Sequence, residues 1–262
     1  MLFISNSYFY SHMYTLKKSL GQHFLKDEDV CKKIIAVLQQ YPFQYLLEIG
    51  PGGGALTKYL LQIPDIHFKA VELDEEKINY LKQTYPTITA KLIHDSILEI
   101  EAPFAELFAV IGNFPYNISS QILFKLIDWR EQLHVAIGMF QKEVAQRVAA
   151  SPGSKTYGVI SVLIQAYFNV TYLFEVHEQC FNPSPKVKSA VIELTPRETL
   201  PQMRTKKDFH NLVKVAFNQR RKMLRNAVKH LFTTTTLQKP IFDKRAEALS
   251  VDDFAALTYE MV

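Results

Sequence analysis

Asn113-Phe114-Pro115-Tyr116 places a side-chain amide, a main-chain carbonyl, a proline and an aromatic ring in four consecutive positions. That set suits methylation of the exocyclic amine of adenine. The lone pair of this amine is delocalised into the ring, which makes it a poor nucleophile towards a sulfonium methyl. Two acceptors aimed at its N–H bonds favour a pyramidal nitrogen and turn the lone pair towards the methyl. Asn113 Oδ1 and the Phe114 carbonyl can serve as that pair. Pro115 stiffens the turn, and Tyr116 offers a face on which an extruded base can stack. The rest of the chemistry is in-line positioning in a dry pocket, without metal or covalent nucleophile. No strong general base is needed, because the proton becomes acidic once the nitrogen is methylated. An Asn turn beside a packed Tyr is the purely structural alternative.

A methyl donor needs its own site, and LLEIGPGGGALT (46–57) supplies a candidate. An apolar run leads directly into a turn with Gly50, Gly52 and Gly54, which lets the backbone pass close beneath a ligand and enter a helix. Glu72 closes the next apolar run, where a βαβ nucleotide site holds the carboxylate that accepts ribose hydroxyls. Gly50, Gly52 and Ala55 also satisfy the relaxed dinucleotide fingerprint, so a dehydrogenase stays open at this point. Glu48 before the turn and Pro51 within it lean away from a dinucleotide. Asp95, after the run AKLIH, can accept a hydrogen bond from an adenine amino group or cap the following turn.

The elements that must position these residues follow from periodicity. Short apolar runs at 45–50, 68–73, 90–94, 108–113 and 135–140 predict strands, and helical patterns fall at 55–62, 75–84, 119–128 and 142–150. Alternation of this kind predicts an α/β fold, a doubly wound, Rossmann-like sheet of mostly parallel strands. Runs at 170–176 and 190–194 predict a closing antiparallel hairpin at the sheet edge. After TPRETLPQ (195–202) the patterns are helical only, including a helix over 208–230. The domain expectation is an N-terminal extension (1–16) without order, a catalytic domain (17–199) and a small all-helical domain (200–262). Met13 is a second candidate start for the chain.

Residues 204–230 carry nine Lys or Arg against one acid, a charge of +8; the chain totals +4, so the remainder carries −4. A near-neutral body with one basic segment points to a polyanionic partner. Lys214, Arg220, Arg221, Lys222 and Arg225 are the expected phosphate contacts, with a solvated helix face as the plainer alternative. Cys31 and Cys180 have no partners at zinc-ligand spacing. They suggest a reducing, cytoplasmic setting without a disulfide. No apolar run has membrane-spanning length, and the first twelve residues lack the basic start of a secretory signal.

With these motifs in place, the chain resembles the ribosomal RNA adenine dimethyltransferases, in their bacterial small-subunit form (the KsgA/RsmA family), from about residue 17 to 230. KSLGQHFL (18–25), LLEIGPGGGALT, VELDEE (71–76), HDSIL (94–98), IGNFPYNIS (111–119), QKEVAQR (141–147), SKTYGVISVLIQAYFNV (154–170) and FNPSPKVKSAVIEL (181–194) carry the resemblance. It implies that His23, Leu25, Gly50, Glu72, Asp95 and Asn113 contact S-adenosylmethionine, and that Phe181 is a second aromatic against the target base. It implies two methyl transfers to each of two adjacent adenosines in the 3′-terminal hairpin loop of 16S rRNA, in an immature small subunit, by a cytoplasmic monomer without metal. His23 stands where many members have Asn, and Phe114 where Leu is commoner. FNQRRKMLRN (217–226) favours the small-subunit enzyme over the large-subunit methyltransferase of macrolide resistance. A binding protein that keeps the fold as an assembly factor is the alternative from another class.

Overall fold

A computed structural model describes residues 23–262; the expected extension (1–16), Met13 and the first five residues of KSLGQHFL lie outside them. The strands are β1 (Phe24–Leu25), β2 (Tyr45–Ile49), β3 (His67–Glu72), β4 (Leu92–His94), β5 (Phe108–Asn113), β6 (Leu133–Gln141), β7 (Phe168–Val176), β8 (Phe181–Asn182) and β9 (Ser189–Pro196). The helices are α1 (Glu28–Leu38), α2 (Thr57–Leu60), α3 (Glu75–Thr84), α4 (Ser119–Asp128), α5 (Lys142–Val148), α6 (Val159–Gln165), α7 (Lys206–Asn218), α8 (Leu224–Ala227) and α9 (Val251–Leu257).

Seven strands form one sheet in the order β4-β3-β2-β5-β6-β9-β7. The pairs β4–β3, β3–β2, β2–β5 and β5–β6 are all parallel. The chain winds outward from β2 through β3 and β4, then returns to lay β5 on the other side of β2. This reversal opens a crevice at the carboxyl ends of β2 and β5, where ligands bind in open α/β sheets. Glu48 and the glycine turn end β2, and Asn113 ends β5, so both candidate motifs meet there. β7 and β9 are neighbours in the sheet, as expected of the closing pair.

The chain divides into two compact units. One holds the residues up to Lys142 with Leu173–Glu193; the other holds Glu143–Tyr172 with Leu194–Val262. The expected break at 199/200 therefore does not place α5 and α6, which cluster with the later helices: α6 packs on α7 and α9.

The helix expected over 208–230 is a correction. α7 ends at Asn218, and α8 begins only at Leu224. Tertiary bonds replace helical ones across the break: Leu224 N–H donates to Lys244 O (2.8 Å), and Met223 bridges Arg245. The helix expected over 55–62 is cut to four residues. Two helices, α1 and α6, were not anticipated as elements.

The first unit's core gathers apolar residues of α1, β2, β5 and β6. Gly112 and Gly138 face each other across β5 and β6. They leave a slot for the Phe114 ring: a Cβ on Gly112 would lie 2.7 Å from it, and one on Gly138 2.5 Å. Phe114 is 1% exposed and meets Phe140 edge-on at 5.0 Å.

Candidate active site

The crevice is a cavity of about 190 Å³, entered by β1, the glycine turn, the end of β3, the turn after β4 and the segment after β5. Gly50, Gly52 and Gly54 all adopt positive φ (67°, 56° and 81°), a region closed to most side chains without strain. The turn keeps its main chain bare against the cavity, as the sequence motif anticipates.

Glu72 is nearly buried, and its carboxylate is placed by three main-chain donors. Oε2 accepts from Gly52 N–H (3.1 Å), and Oε1 accepts from Leu73 and Asp74 N–H (3.0 Å each). These bonds tie the end of β3 to the glycine turn. Glu48 has a different environment. It is 1% exposed, and its Oε2 accepts from the Thr57 hydroxyl at 2.7 Å. Burial, with the Glu72 carboxylate nearby, outweighs that bond and pushes its pKa up to about 8. One carboxylate is thus fixed by main-chain donors at the cavity wall, and the other is buried as a neutral acid.

Asn113 projects from the end of β5, and its Nδ2 donates to His23 O at 3.1 Å. The side chain is left with Oδ1 as an acceptor. His23 is fixed in turn by Nδ1 against Pro183 O (2.9 Å), and its ring lies 5.8 Å from that of Tyr116. The Tyr116 hydroxyl bonds Ser189 Oγ, and burial raises its pKa. Pro115 opens a single 3-10 turn at Tyr116–Ile118 that keeps Tyr116 at the cavity wall.

Asp95 also lines the cavity, exposed, with Oδ1 accepting from Ser96 N–H at 2.6 Å. Leu25 lines it from β1. The cavity thus brings together His23, Leu25, Glu48, Gly50, Gly52, Glu72, Asp95 and Asn113–Tyr116. Phe181 is the correction. It is 1% exposed in the core, paired with Leu25 across β1 and β8, and it does not line this cavity. Its burial fixes β1 rather than offering a face to a base. Two wall residues escaped the sequence reading. The Phe24 ring sits 3.4 Å from where a Gly52 Cβ would stand, and Lys77, 6% exposed, lies over that ring at 5.4 Å. The pattern EEK in an amphipathic helix reads as a solvated face, so nothing in the sequence marked Lys77.

In the second unit the basic residues fall into two groups. Lys214, Arg221 and Lys222 are exposed. Arg220 donates from Nε to Glu247 Oε2 (2.6 Å) and from Nη2 to Lys155 O (2.6 Å), and Arg225 pairs with Asp243. These two guanidiniums are engaged with partners of the same chain while staying partly exposed. Among the described residues no cluster of His, Cys, Asp or Glu has the makings of a metal site, and Cys31 and Cys180 are free thiols. No helix among them is long and apolar enough to cross a membrane.

Comparison with known proteins agrees with this geometry. A family model described as "Ribosomal RNA adenine dimethylase" matches residues 13–261. The "Ribosomal RNA small subunit methyltransferase A" of Cytophaga hutchinsonii is 48% identical over 246 residues, covering 92% of this chain and 95% of that protein. A solved dimethyladenosine transferase from Plasmodium falciparum is 26% identical with a TM-score of 0.75, covering 90% of this chain and 96% of that one. The 23S rRNA methyltransferase ErmE shares the fold at 20% identity, TM-score 0.67, over 89% of this chain and 99% of its own.

Proposed function

The chain belongs to the ribosomal RNA adenine dimethylase family, and on that premise we propose that it methylates N6 of two adjacent adenosines in the 3′-terminal hairpin loop of 16S rRNA, twice each. The observation that carries the reading is the Asn113 amide, anchored through Nδ2 to His23 O beside the glycine turn. S-adenosylmethionine is the methyl donor, and when bound it supplies a methyl group on a sulfonium.

The residues present fit that donor. The bare turn at Gly50 and Gly52 admits its close approach, Glu72 offers the ribose a carboxylate already fixed by three N–H groups, and Asp95 reaches towards an adenine amine. His23 and Leu25 wall the other side, and Glu48 supports the turn as a neutral acid. Asn113 Oδ1 and the Phe114 carbonyl accept the two N6–H bonds of the target, which localises the nitrogen lone pair. The Phe114 side chain does no chemistry; seated in its glycine slot, it fixes the main chain on either side. Tyr116 stacks on the base, and Pro115 holds the turn. Single-stranded loop bases are the form of RNA that can enter such a pocket.

Lys214, Arg221 and Lys222 hold phosphates and set the register of the hairpin without reading its sequence. The helical segment from about residue 200 supplies this docking, and the residues before it supply the methyl transfer. The enzyme acts as a monomer on an immature small subunit in the cytoplasm.

The test is methyl transfer to immature small subunits, with mapping of dimethyladenosine. The product is expected in the 3′-terminal hairpin loop. Asn113→Ala should lower kcat by roughly 10²–10³, the cost of removing one preorganised polar partner, while the protein still binds S-adenosylmethionine. Activity confined to naked large-subunit rRNA would refute the target, and unchanged turnover in Asn113→Ala would refute the role of the amide.

A further inference from the structure

Arg220 reads from sequence as one more phosphate-binding cation, but its surroundings assign it another task. Its guanidinium joins two stretches far apart in the chain. Nε donates to Glu247 Oε2 at 2.6 Å, while Nη2 donates to the carbonyls of Lys155 (2.6 Å) and Ser154 (3.3 Å). Gly153 N–H closes the arrangement on Glu247 O at 2.7 Å. The loop 151–157 is held from within as well. Ser154 Oγ donates to Ser151 O (2.8 Å), and Tyr157 is fully buried with its ring 6.1 Å from that of Phe217. An exposed loop is thus fastened through Arg220 to the turn between α7 and α8.

That fastening has an electrostatic consequence. Lys155, Arg221 and Lys222 are all exposed, and Lys155 is tied by its own carbonyl to the residue preceding Arg221. Neither 151–158 nor 219–223 contains an acid. Glu247, the acid at the junction, is neutralised by Arg220. The result is a set of basic side chains on two loops whose main chains these bonds hold in place, so less conformational freedom is lost when a polyanion docks.

We propose that Lys155 is a phosphate contact on the same RNA-docking surface as Arg221 and Lys222, and that Arg220 is a positioning residue that holds the Lys155 loop in place. The inference rests on the RNA-docking reading above. It moves Arg220 out of the contact set and brings in a loop that the sequence placed outside the basic segment.

The experiment is a double-mutant cycle on the full chain, reading binding of a labelled RNA of the 16S 3′-terminal hairpin across a salt series. Lys155→Gln should weaken binding by roughly three- to tenfold and reduce the slope of log K against log salt by about 0.7–0.9, as expected for one lost phosphate contact. Arg220→Gln, made together with Glu247→Gln so that no unpaired carboxylate is left beside the patch, should cause a similar loss, yet add less than twofold in a Lys155→Gln background, because its effect runs through Lys155. Arg221→Gln should combine multiplicatively with Lys155→Gln. Binding of S-adenosylmethionine should be unchanged throughout, and the Gly153 amide should exchange faster in Arg220→Gln. Should Arg220→Gln fail to fold, Arg220→Lys serves in its place, since an ammonium cannot span Glu247 and both carbonyls. The proposal is overturned if Lys155→Gln leaves affinity and slope intact while Arg221→Gln weakens binding, or if the Lys155 and Arg220 effects multiply. If Arg221→Gln and Lys222→Gln are also without effect, the docking reading itself fails.

Discussion

Replacing Glu48 with Gln should flatten the pH dependence of the protein's stability. The carboxyl is 1% exposed, with the Thr57 hydroxyl as its donor and the Glu72 carboxylate nearby, and its pKa stands at about 8 against an ordinary 4.5. At neutral pH the folded protein therefore keeps a proton that the unfolded chain has released. With fewer protons bound in the unfolded state, stability falls as pH rises from about 4.5 and levels off only above 8. Integrating over that window gives a loss of roughly 2–3 kcal/mol between pH 5 and 7 from this one group. Gln has the shape of the neutral acid and keeps an acceptor for Thr57, so it should retain the fold while removing the slope. Urea unfolding of both proteins at pH 5, 6 and 7, without added ligand, isolates the effect, since titrating groups that do not interact with Glu48 cancel in the difference. The variant should gain roughly 2–3 kcal/mol on the parent between pH 5 and 7. Curves that stay parallel would show that Glu48 is already ionised in the folded protein and that the argument from burial is wrong.

Glu72→Gln should weaken S-adenosylmethionine binding roughly 10- to 100-fold in calorimetry, the worth of hydrogen bonds to a charged acceptor; an unchanged Kd would remove Glu72 from the donor site. Gly112→Ala would place a methyl 2.5 Å from Ile49 O and 2.7 Å from the Phe114 ring. It should cost about 1–3 kcal/mol in urea unfolding, and a neutral result would mean that the ring can leave its slot freely. Tyr116→Phe should retain most activity, because only the bond to Ser189 is lost, whereas Tyr116→Ala should lose roughly 1–3 kcal/mol of stacking in kcat/KM. Equal losses in the two variants would make the hydroxyl, not the ring, the functional part.

Much of this architecture was legible because it is local. β5, α3 and α4 begin and end where apolar periodicity puts them, and Asp74 caps α3 by accepting from Glu76 N–H. The signal for α1 was equally present. Asp27 accepts from Asp29 and Val30 N–H, and the buried positions Cys31, Ile34, Ile35 and Leu38 keep helical spacing. The overlong helix at 208–230 failed for a non-local reason. Periodicity within the segment carries no information about Lys244 and Arg245, whose main-chain bonds hold Leu224 and Met223 where α8 starts. The pairing of cations within the chain was illegible in the same way, since Arg220 and Arg221 are identical letters until Glu247 selects one of them. Phe181 shows the same limit in the core, where pairing with Leu25 decides its burial.

Gly112 and Gly138 lie between these two cases. Each interrupts an otherwise apolar strand, which weakens the strand and suggests that something passes close by. Read singly, neither says what that is. Their pairing across β5 and β6 makes one slot, and Phe114, the residue after Asn113, fills it. The ring therefore acts as a wedge beside the reacting site, fixing the main chain whose carbonyl and preceding amide are asked to hold the target amine. A Leu at this position would present less surface to the slot, so the Phe and the two glycines form one unit. The chemistry proposed at Asn113 would thus depend on two residues that carry no side chain at all.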